Sequence, residues 1–551
     1  MDDSWTRINR PIITGTLKRY LYLFYKSVPG ERSITSINLS LKEGQQQQPG
    51  QDQDKESIDT GIRFKNQNVY VTYKRGPWRR GNRRDRVYAM DNIAILLGSN
   101  PMVPYGWNAA AFEHHAHQEL PNWDVQLIYR TGNKALPQMA PLRFHQDGSF
   151  KIVQFADIHM ATGPHSCHQA PVNMPCTGDI NTLEMMERML DMEKPDLVAY
   201  TGDNVDGVTS KDALSTILKY SKPVIDRRIP WTIVFGNHDE EGDLSREEMI
   251  SSVQDLPYSL SQRGPPGISG TGNYHLSIYG YKRGHGYLIK DESSKEEDMF
   301  EDMMEEQKEK EDQDEDEDEP IKQVENDTTS KEKSLFTLYF LDSGAYSFSL
   351  TYPGWDWIKE DQVEWFRQTS KAITSQYHKN QVPNALAFFH IPIPEYALVE
   401  DGHIVGEKNE NVSGPSYNSG MFAAFLESKD VRATTVGHDH LNNFCLDHRG
   451  INLCFGGGLG YGSYGKPDIP RRSRVFELRK NGDRADTWKR LDNEEMTLVG
   501  QQTLYIGKKT SPCTSCSGDD PAGYGSSSSR TRPIRLEEEP VESVTQFRYD
   551  L

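Results

Sequence analysis

From residue 150 onward the chain alternates short apolar runs with segments in which apolar residues recur every three or four positions. The runs KIVQFADIH, DLVAYTGDN, WTIVFGNHD, LFTLYFLDSG, ALAFFHIP and RATTVGHDH predict strands. Between them, NTLEMMERMLDM, SKDALSTILKYSKPVI, EDQVEWFRQTSKAI and SGMFAAFLESKD predict helices, with Ser210 and Ser419 as N-caps. That alternation is the signature of an α/β sheet. Five of these six strand runs end in Asp, His or Asn at the same end. Ligands of open α/β sheets bind beyond the carboxyl ends of the strands, so the pattern points to a site. After residue 440 only strand patterns remain, NNFCLD, INLCFGG, SRVFEL and DTWKRL, which would extend a sheet at the end of the domain.

The first 140 residues differ. RYLYLFYKSVPGERSITSINLSL, NVYVTYKRGPWRRGNRRDRVYAMDNIAILLGS and VQLIYRTG each start as an alternating aromatic strand ending in Tyr and a basic residue. The first two continue through a loop into a second apolar run, which suggests a repeated hairpin and an all-β domain with approximate internal symmetry. The segment resembles the β-prism module of some membrane-trafficking proteins, and that resemblance implies binding of acidic lipid. The loop KRGPWRRGNRRDR, residues 74–86, carries seven basic residues and Trp78. It is either a solvated loop or a contact for acidic membrane lipid, the chain's own acidic segment or nucleic acid; no specific nucleic-acid partner is expected. The expected organisation is an all-β domain over 1–140, an α/β domain over 148–493 and a disordered tail over 505–551.

Charge changes the picture locally. The formal net charge is −19, but residues 291–330 hold 20 acidic against 4 basic residues. A stretch such as DQDEDEDE cannot bury enough apolar surface to offset its ordering entropy, so 291–334 reads as a disordered excursion from the hairpin joining YHLSIYG to LFTLYFLD. No apolar run approaches the roughly 20 residues of a membrane span, and the opening MDDSWTRINRP lacks the features of a signal peptide. A cytoplasmic protein with peripheral membrane contact is the expectation, the sequon at Asn411 notwithstanding. The six cysteines, at 167, 176, 445, 454, 513 and 516, are too few for a disulfide scaffold of this length. Cys445 and Cys454 would face each other across a hairpin turning at Arg449 and Gly450; in a reducing compartment, packed free thiols are expected there and plain thiols in the CTSC of the tail.

The strand ends carry the chemistry. ADIH offers Asp157 and His159, TGDNVDG offers Asp203, GNHDEE offers Asn237 and His238, FFHIP offers His390, and VGHDH offers His438 and His440. Mixed imidazole, carboxylate and amide ligands suit Zn²⁺, Mn²⁺ or Fe and are too rich in nitrogen for Ca²⁺. Seven such ligands exceed the needs of one ion and divide between two. His165 and His168, in the loop after the first motif, read as ordinary loop residues before substrate contacts. His114, His115 and His117 carry no assignment.

DIH, GD, GNHD, the His of FFHIP and GHDH stand in the order of the five motifs of the calcineurin-like metallophosphoesterases, which this sequence resembles over roughly residues 148–493. FLDSGAYS, HIPIPEY and GGGLGYGSYG further resemble the fungal cell-cycle-regulator type of phosphatase and its plant relatives labelled purple-acid-phosphatase-like. The resemblance implies an α/β/β/α sandwich and two divalent or trivalent ions (Mn, Fe or Zn). Asp157, His159 and His440 would hold the first, Asn237, His390 and His438 the second, with Asp203 bridging. It implies hydrolysis of phosphomonoesters by a hydroxide that the paired cations generate near neutral pH. The substrate would be a phosphorylated protein, at Ser or Thr, or a small phosphoester; nucleotides, phosphoinositides, phosphodiesters and a regulatory protein with a vestigial metal site are the alternatives. Purple phosphatases place a tyrosine three residues after the bridging Asp; Asp206 stands there, so no tyrosinate colour is expected. His238, beside a ligand but not one itself, is placed to protonate the leaving group, with Asp239 holding its ring.

Overall fold

The computed structural model describes segments 6–14, 17–25, 34–42, 55–64, 67–75, 90–97, 102–110, 125–131 and 136–137, then residues 139–507 apart from 164, 173, 283–331, 379–380 and 400–402. Most of the basic loop 74–86, the acidic insert, His114, His115, His117 and the tail with Cys513 and Cys516 therefore lie outside the described residues. None of the described helices is long and apolar enough to cross a membrane.

The described N-terminal elements are strands. β1 (Thr6–Thr14) pairs with β2 (Leu17–Tyr25). β3 (Ile34–Lys42), β4 (Lys55–Phe64) and β5 (Gln67–Arg75) form an antiparallel sheet in the order β3-β5-β4. β6 (Met90–Leu97), β7 (Trp107–Ala109) and β8 (Val125–Thr131) form another, ordered β6-β8-β7. The repeated segments are not hairpins, contrary to expectation: β2 pairs with β1 while β3 pairs with β5, and β6 pairs with β8. Each repeat places its two strands in different sheets because each strand finds its partner outside its own segment. The third sheet is apolar on both faces. Ile93 and Tyr129 pack on Ile37 of β3, whereas Leu96 and Ile128 join the core that holds Val153, Val198 and Met185 of the α/β part.

The α/β part runs β9 (Phe150–Phe155), α1 (Gly178–Glu193), β10 (Leu197–Thr201), α2 (Ala213–Asp226), β11 (Trp231–Val234), α3 (Arg246–Gln254), β12 (Tyr274–Ile278) and β13 (Phe336–Phe340). It continues through α4 (Glu360–Thr374), β14 (Asn384–Phe388), β15 (His403–Val405), α5 (Met421–Ser428), β16 (Val431–Val436), β17 (Cys445–His448), β18 (Ile451–Phe455), β19 (Arg472–Arg479), β20 (Arg484–Leu491) and β21 (Leu498–Ile506). One sheet has the order β11-β10-β9-β19-β20-β21 and the other β12-β13-β14-β16-β18-β17-β15. Their facing sides interlock through Ile152, Ala199 and Val234 on one and Leu338, Phe388 and Ala433 on the other. The outer face of the first sheet is covered by α1, α2 and α3, that of the second by α4 and α5. The result is an α/β/β/α sandwich. Strands β9, β10 and β11 of the first sheet and β13, β14, β16 and β18 of the second run parallel and are buried on both faces, which is why they read as nearly continuous apolar runs.

Several expectations change. The helix N-caps are Asp212 and Gly420 in place of Ser210 and Ser419; Ser210 instead hydrogen-bonds Thr216 within the core. The strands after residue 440 divide between the sheets, β17 and β18 entering the second, β19 and β20 the first. β21 carries the first sheet to Ile506, past the expected boundaries at 493 and 505. β12 and β13 pair directly, with the acidic insert between them in sequence. β17 and β18 turn at Arg449 and Gly450, both with positive φ (51° and 78°), as a two-residue hairpin turn demands. Cys445 and Cys454 face each other there and are disulfide-bonded, as are Cys167 and Cys176 in the loop after β9. The free-thiol expectation for Cys445 and Cys454 is thereby overturned: the hairpin register sets the two residues directly opposite each other, within bonding range.

Candidate metal centre

Five strands deliver the site. Asp157 and His159 follow β9, Asp203 follows β10, Asn237 follows β11, His390 follows β14, and His438 and His440 follow β16. All seven side chains are buried. Asp157, His159, Asp203 and His440 place one potential ligand atom each within 4.8 Å of one another, and Asp203, His390 and His438 do the same, so Asp203 is common to both groups. His390 Nε2 lies 3.3 Å from Asp203 Oδ2 and 3.2 Å from Asn237 Oδ1, which brings Asn237 to the second group. His159 Nε2 lies 3.5 Å from Asp203 Oδ2, and His440 Nε2 3.4 Å from Asp157 Oδ1.

The outer nitrogens of two imidazoles are spoken for. His390 Nδ1 donates to Thr201 O at 2.9 Å and His440 Nδ1 to Tyr464 O at 3.0 Å, which turns each Nε2 inward toward the carboxylates. This is the arrangement that fixes the tautomer of a metal-ligating histidine. Stacking of Tyr464 on His440, ring centroids 3.9 Å apart, further holds that ring.

Electrostatics follow from crowding. Burial drives His159 and His438 well below the usual imidazole range. Burial alone would raise Asp203, but the neighbouring imidazoles of His390, His159 and His238 overrule it and hold the carboxylate well below its ordinary value. His390 is opposed by burial, yet Asp203 and Asp157 push it up to about 9. Three ligand atoms, Asp157 Oδ2, His159 Nε2 and His438 Nε2, are buried without a hydrogen-bond partner. Orphaned polar atoms of this kind are rare because each forfeits about 1–3 kcal/mol of solvation. Three converging on one buried space fit a pair of cations, and the mixture of imidazole, carboxylate and amide fits Mn, Fe or Zn.

His238 sits at the rim, its ring 5.2 Å from that of His159 and its side chain 36% exposed. Its Nδ1 is 2.6 Å from Glu241 Oε2, so Nε2 is the nitrogen available to a substrate. Burial would lower this imidazole; Asp203 and Glu241 more than compensate and raise it. The orienting role expected of Asp239 thus belongs to Glu241. Asp239 is buried and turned away: Oδ1 accepts from the amides of Asn204 and Val205 at 2.9 and 2.8 Å, and Oδ2 from that of Gly236 at 2.7 Å. It ties the Asp203 loop to the Asn237 loop. Burial, followed by the charge on Asp203, pushes Asp239 up to about 7.

Tyr346, Trp355 and Arg246 were not foreseen either. Tyr346 Oη donates to Glu241 Oε1 at 2.9 Å and accepts from Asn237 Nδ2 at 3.4 Å, and the Trp355 and His438 rings meet in a T-shaped contact with centroids 4.3 Å apart. Arg246, buried at the start of α3, donates to Gly236 O at 2.8 Å and Gly344 O at 3.1 Å and pairs with Asp342. His165 lies outside the seven-residue group, Nε2 3.9 Å from Asp206 Oδ2, with the His168 ring 5.7 Å from its own.

Known proteins place this arrangement. A family model described as calcineurin-like phosphoesterase matches residues 150–442. The chain is 36% identical over 392 residues to an Arabidopsis thaliana protein named "Probable inactive purple acid phosphatase 29", covering 67% of this chain and 90% of that one. It is 35% identical over 384 residues to "Phosphatase DCR2" of Saccharomyces cerevisiae, covering 66% of this chain and 57% of the yeast protein. Among solved structures, a dimetal phosphatase from Danio rerio aligns over 65% of this chain and 99% of its own, with 13% identity and a TM-score of 0.40. With a matched family model across both sheets and a relative covered almost end to end, the chain belongs to the calcineurin-like phosphoesterases.

Proposed function

We propose that this protein is a phosphomonoesterase with a two-ion centre, acting on phosphoserine or phosphothreonine in proteins. The observation that supports it is the convergence of Asp157 Oδ2, His159 Nε2 and His438 Nε2, buried and without hydrogen-bond partners, around the shared carboxylate of Asp203. Asp157, His159 and His440 would hold one ion, Asn237, His390 and His438 the other, and Asp203 both. When bound, such ions supply Lewis acidity toward phosphoryl oxygens and an activated water.

The chain's own residues do the rest. Thr201 O and Tyr464 O keep the His390 and His440 rings turned inward. His238, held by Glu241 with Nε2 toward the site, delivers a proton to the departing alkoxide, a contribution of roughly 10²- to 10⁴-fold for such a positioned acid. No serine or cysteine nucleophile is required.

A second reading, a regulatory protein with a vestigial site, is favoured by one observation: a plant relative carries "inactive" in its name. The intact set of seven side chains and His238 weighs against it. Metal analysis of the purified protein together with hydrolysis of an aryl phosphate decides the matter. Two ions per chain and hydrolysis abolished by a chelator support the enzyme; two ions without hydrolysis of any phosphoester support the second reading. A panel of phosphopeptides, nucleotides, phosphoinositides and diesters then tests the substrate class.

A further inference from the structure

The loop from β13 to α4 has a feature that hydrolysis alone does not need. Residues 343–355, SGAYSFSLTYPGW, contain no charged side chain in a sequence that is 26% charged. Tyr346 and Trp355 form an antiparallel bridge at its foot, closed by Ser347 N donating to Gly354 O at 2.8 Å, with the two rings stacked 5.4 Å apart. The same two residues touch Asn237 and His438, so the foot stands on the side of the site that also holds His238.

The tip points away from the protein. Phe348 is 101% and Leu350 100% exposed, the largest values among the large apolar side chains of the described residues. The exposure is not slack chain, because Ser349 Oγ accepts the amides of Thr351 and Tyr352, both at 3.2 Å, and Tyr352 packs on Tyr417 with rings 4.9 Å apart. Isolated exposed apolar residues are ordinary. Two at full exposure on an ordered, charge-free projection rooted in the site are a surface for something apolar.

We propose that this projection is the leaving-group wall of the site and selects polypeptide substrates with large apolar side chains a few residues from the phosphorylated one. The proposal rests on the phosphoesterase reading above. Reach favours the occupant: Tyr346 and Leu350 are four positions apart, so the tip can stand at most about 13 Å beyond the foot. A small phosphoester seated at the ligands cannot touch the tip, whereas an extended peptide of about four residues can. With no charge on the loop, selection rests on apolar burial, and Tyr346 and Trp355 continue the apolar strip to the leaving group.

The test compares two phosphoserine peptides, one with Phe and Leu three and four residues to either side of the phosphoserine and one with Ser at those places, beside an aryl phosphate. Wild type should favour the apolar peptide by about tenfold or more in kcat/KM, carried in KM. The double variant F348S/L350S, altered only at fully exposed positions, should lose that preference while keeping its melting temperature and its aryl phosphate kinetics. Equal KM for both peptides in wild type, or a preference that survives in the variant, overturns the proposal. So does a variant whose only defect is lost co-sedimentation with phosphatidylcholine vesicles, since that assigns the tip to a membrane. Failure of the metal-loaded wild type to hydrolyse aryl phosphate refutes the enzyme reading instead; anisotropy of the labelled peptides then reads the same preference as a ratio of Kd values.

Discussion

Replacing Asp239 separates two roles that its place in the GNHD motif leaves entangled. If it oriented His238, its loss would slow turnover of substrates with poor leaving groups and leave stability alone. The structure predicts the opposite. Its carboxylate is the shared acceptor for the amides of Asn204, Val205 and Gly236, all within 2.9 Å. Asp239→Ala leaves these donors in a buried site, and an unsatisfied buried donor costs about 1–3 kcal/mol, so the three together remove at least about 3 kcal/mol from a stability of roughly 5–15. Asp239→Asn keeps one acceptor oxygen and orphans at least one amide, for about 1–3 kcal/mol. Differential scanning fluorimetry should show Asn lowering the melting temperature by a few degrees and Ala lowering it further. The Asn variant that remains folded should keep the wild-type ratio of rates between aryl and alkyl phosphates. An unchanged melting temperature with selective loss on alkyl phosphates would refute the reasoning and return Asp239 to the His238 ring.

Other outcomes follow from the same geometry. Asp203→Asn should empty both ion sites and reduce turnover to background with the fold retained; elemental analysis showing one ion kept, with activity, would rule out a bridging role. His238→Ala should keep two ions yet slow alkyl phosphates by roughly 10²- to 10⁴-fold and aryl phosphates much less. Glu241→Gln should follow the same pattern at roughly 10- to 100-fold without a change in melting temperature, as expected of a residue acting through the imidazole. Lys489, 2% exposed, has its ammonium lowered by burial and by Arg474 and Arg472 from 10.5 to about 6. Between those values the unfolded chain binds a proton that the folded one does not, so this group makes stability rise with pH from about 6 toward 10.5. Lys489→Met should therefore narrow the gap between melting temperatures at pH 6.5 and pH 9, a contribution of a few kcal/mol across the window.

The sandwich was legible because its central strands are buried on both faces, and period and length alone distinguish them from the helices between. The seven buried side chains were legible for a related reason: polar residues closing an apolar run have few purposes other than a site. What stayed hidden depends on contacts distant in sequence. α3 was missed although Ser245 and Glu248 form a capping box, because its short apolar stripe is weak; with it went Arg246, which ties Gly236 to Gly344 across about a hundred residues. Glu241 lies one turn from His238, and Tyr346 and Trp355 lie on a loop more than a hundred residues away, so only the folded chain shows that they share a surface. The N-terminal repeats misled because similar strands were assumed to pair within a repeat, whereas pairing is decided by which edges are free.

The motifs also leave unsaid how their residues are held. Asp157, His159, Asp203 and His438 all have positive φ, 54°, 42°, 50° and 74°, a conformation that costs a non-glycine residue of order 1–3 kcal/mol. The surroundings over-determine it. Asp157 N donates to Gly202 O, His159 N to Asp203 O and His438 N to Asp157 Oδ1, so each turned backbone is fastened to a neighbouring ligand loop. The glycines of the motifs are part of this fastening: a Cβ at Gly202 would collide with the His390 ring and one at Gly236 with the Asp203 carboxylate. GD and GNHD therefore need glycine because these loops cross within van der Waals contact. The strain is sustained by cross-ties between loops from different strands, so disturbing one loop should displace ligands on the next. Hence Asp239, which reaches no substrate, binds the Asp203 and Asn237 loops into one unit.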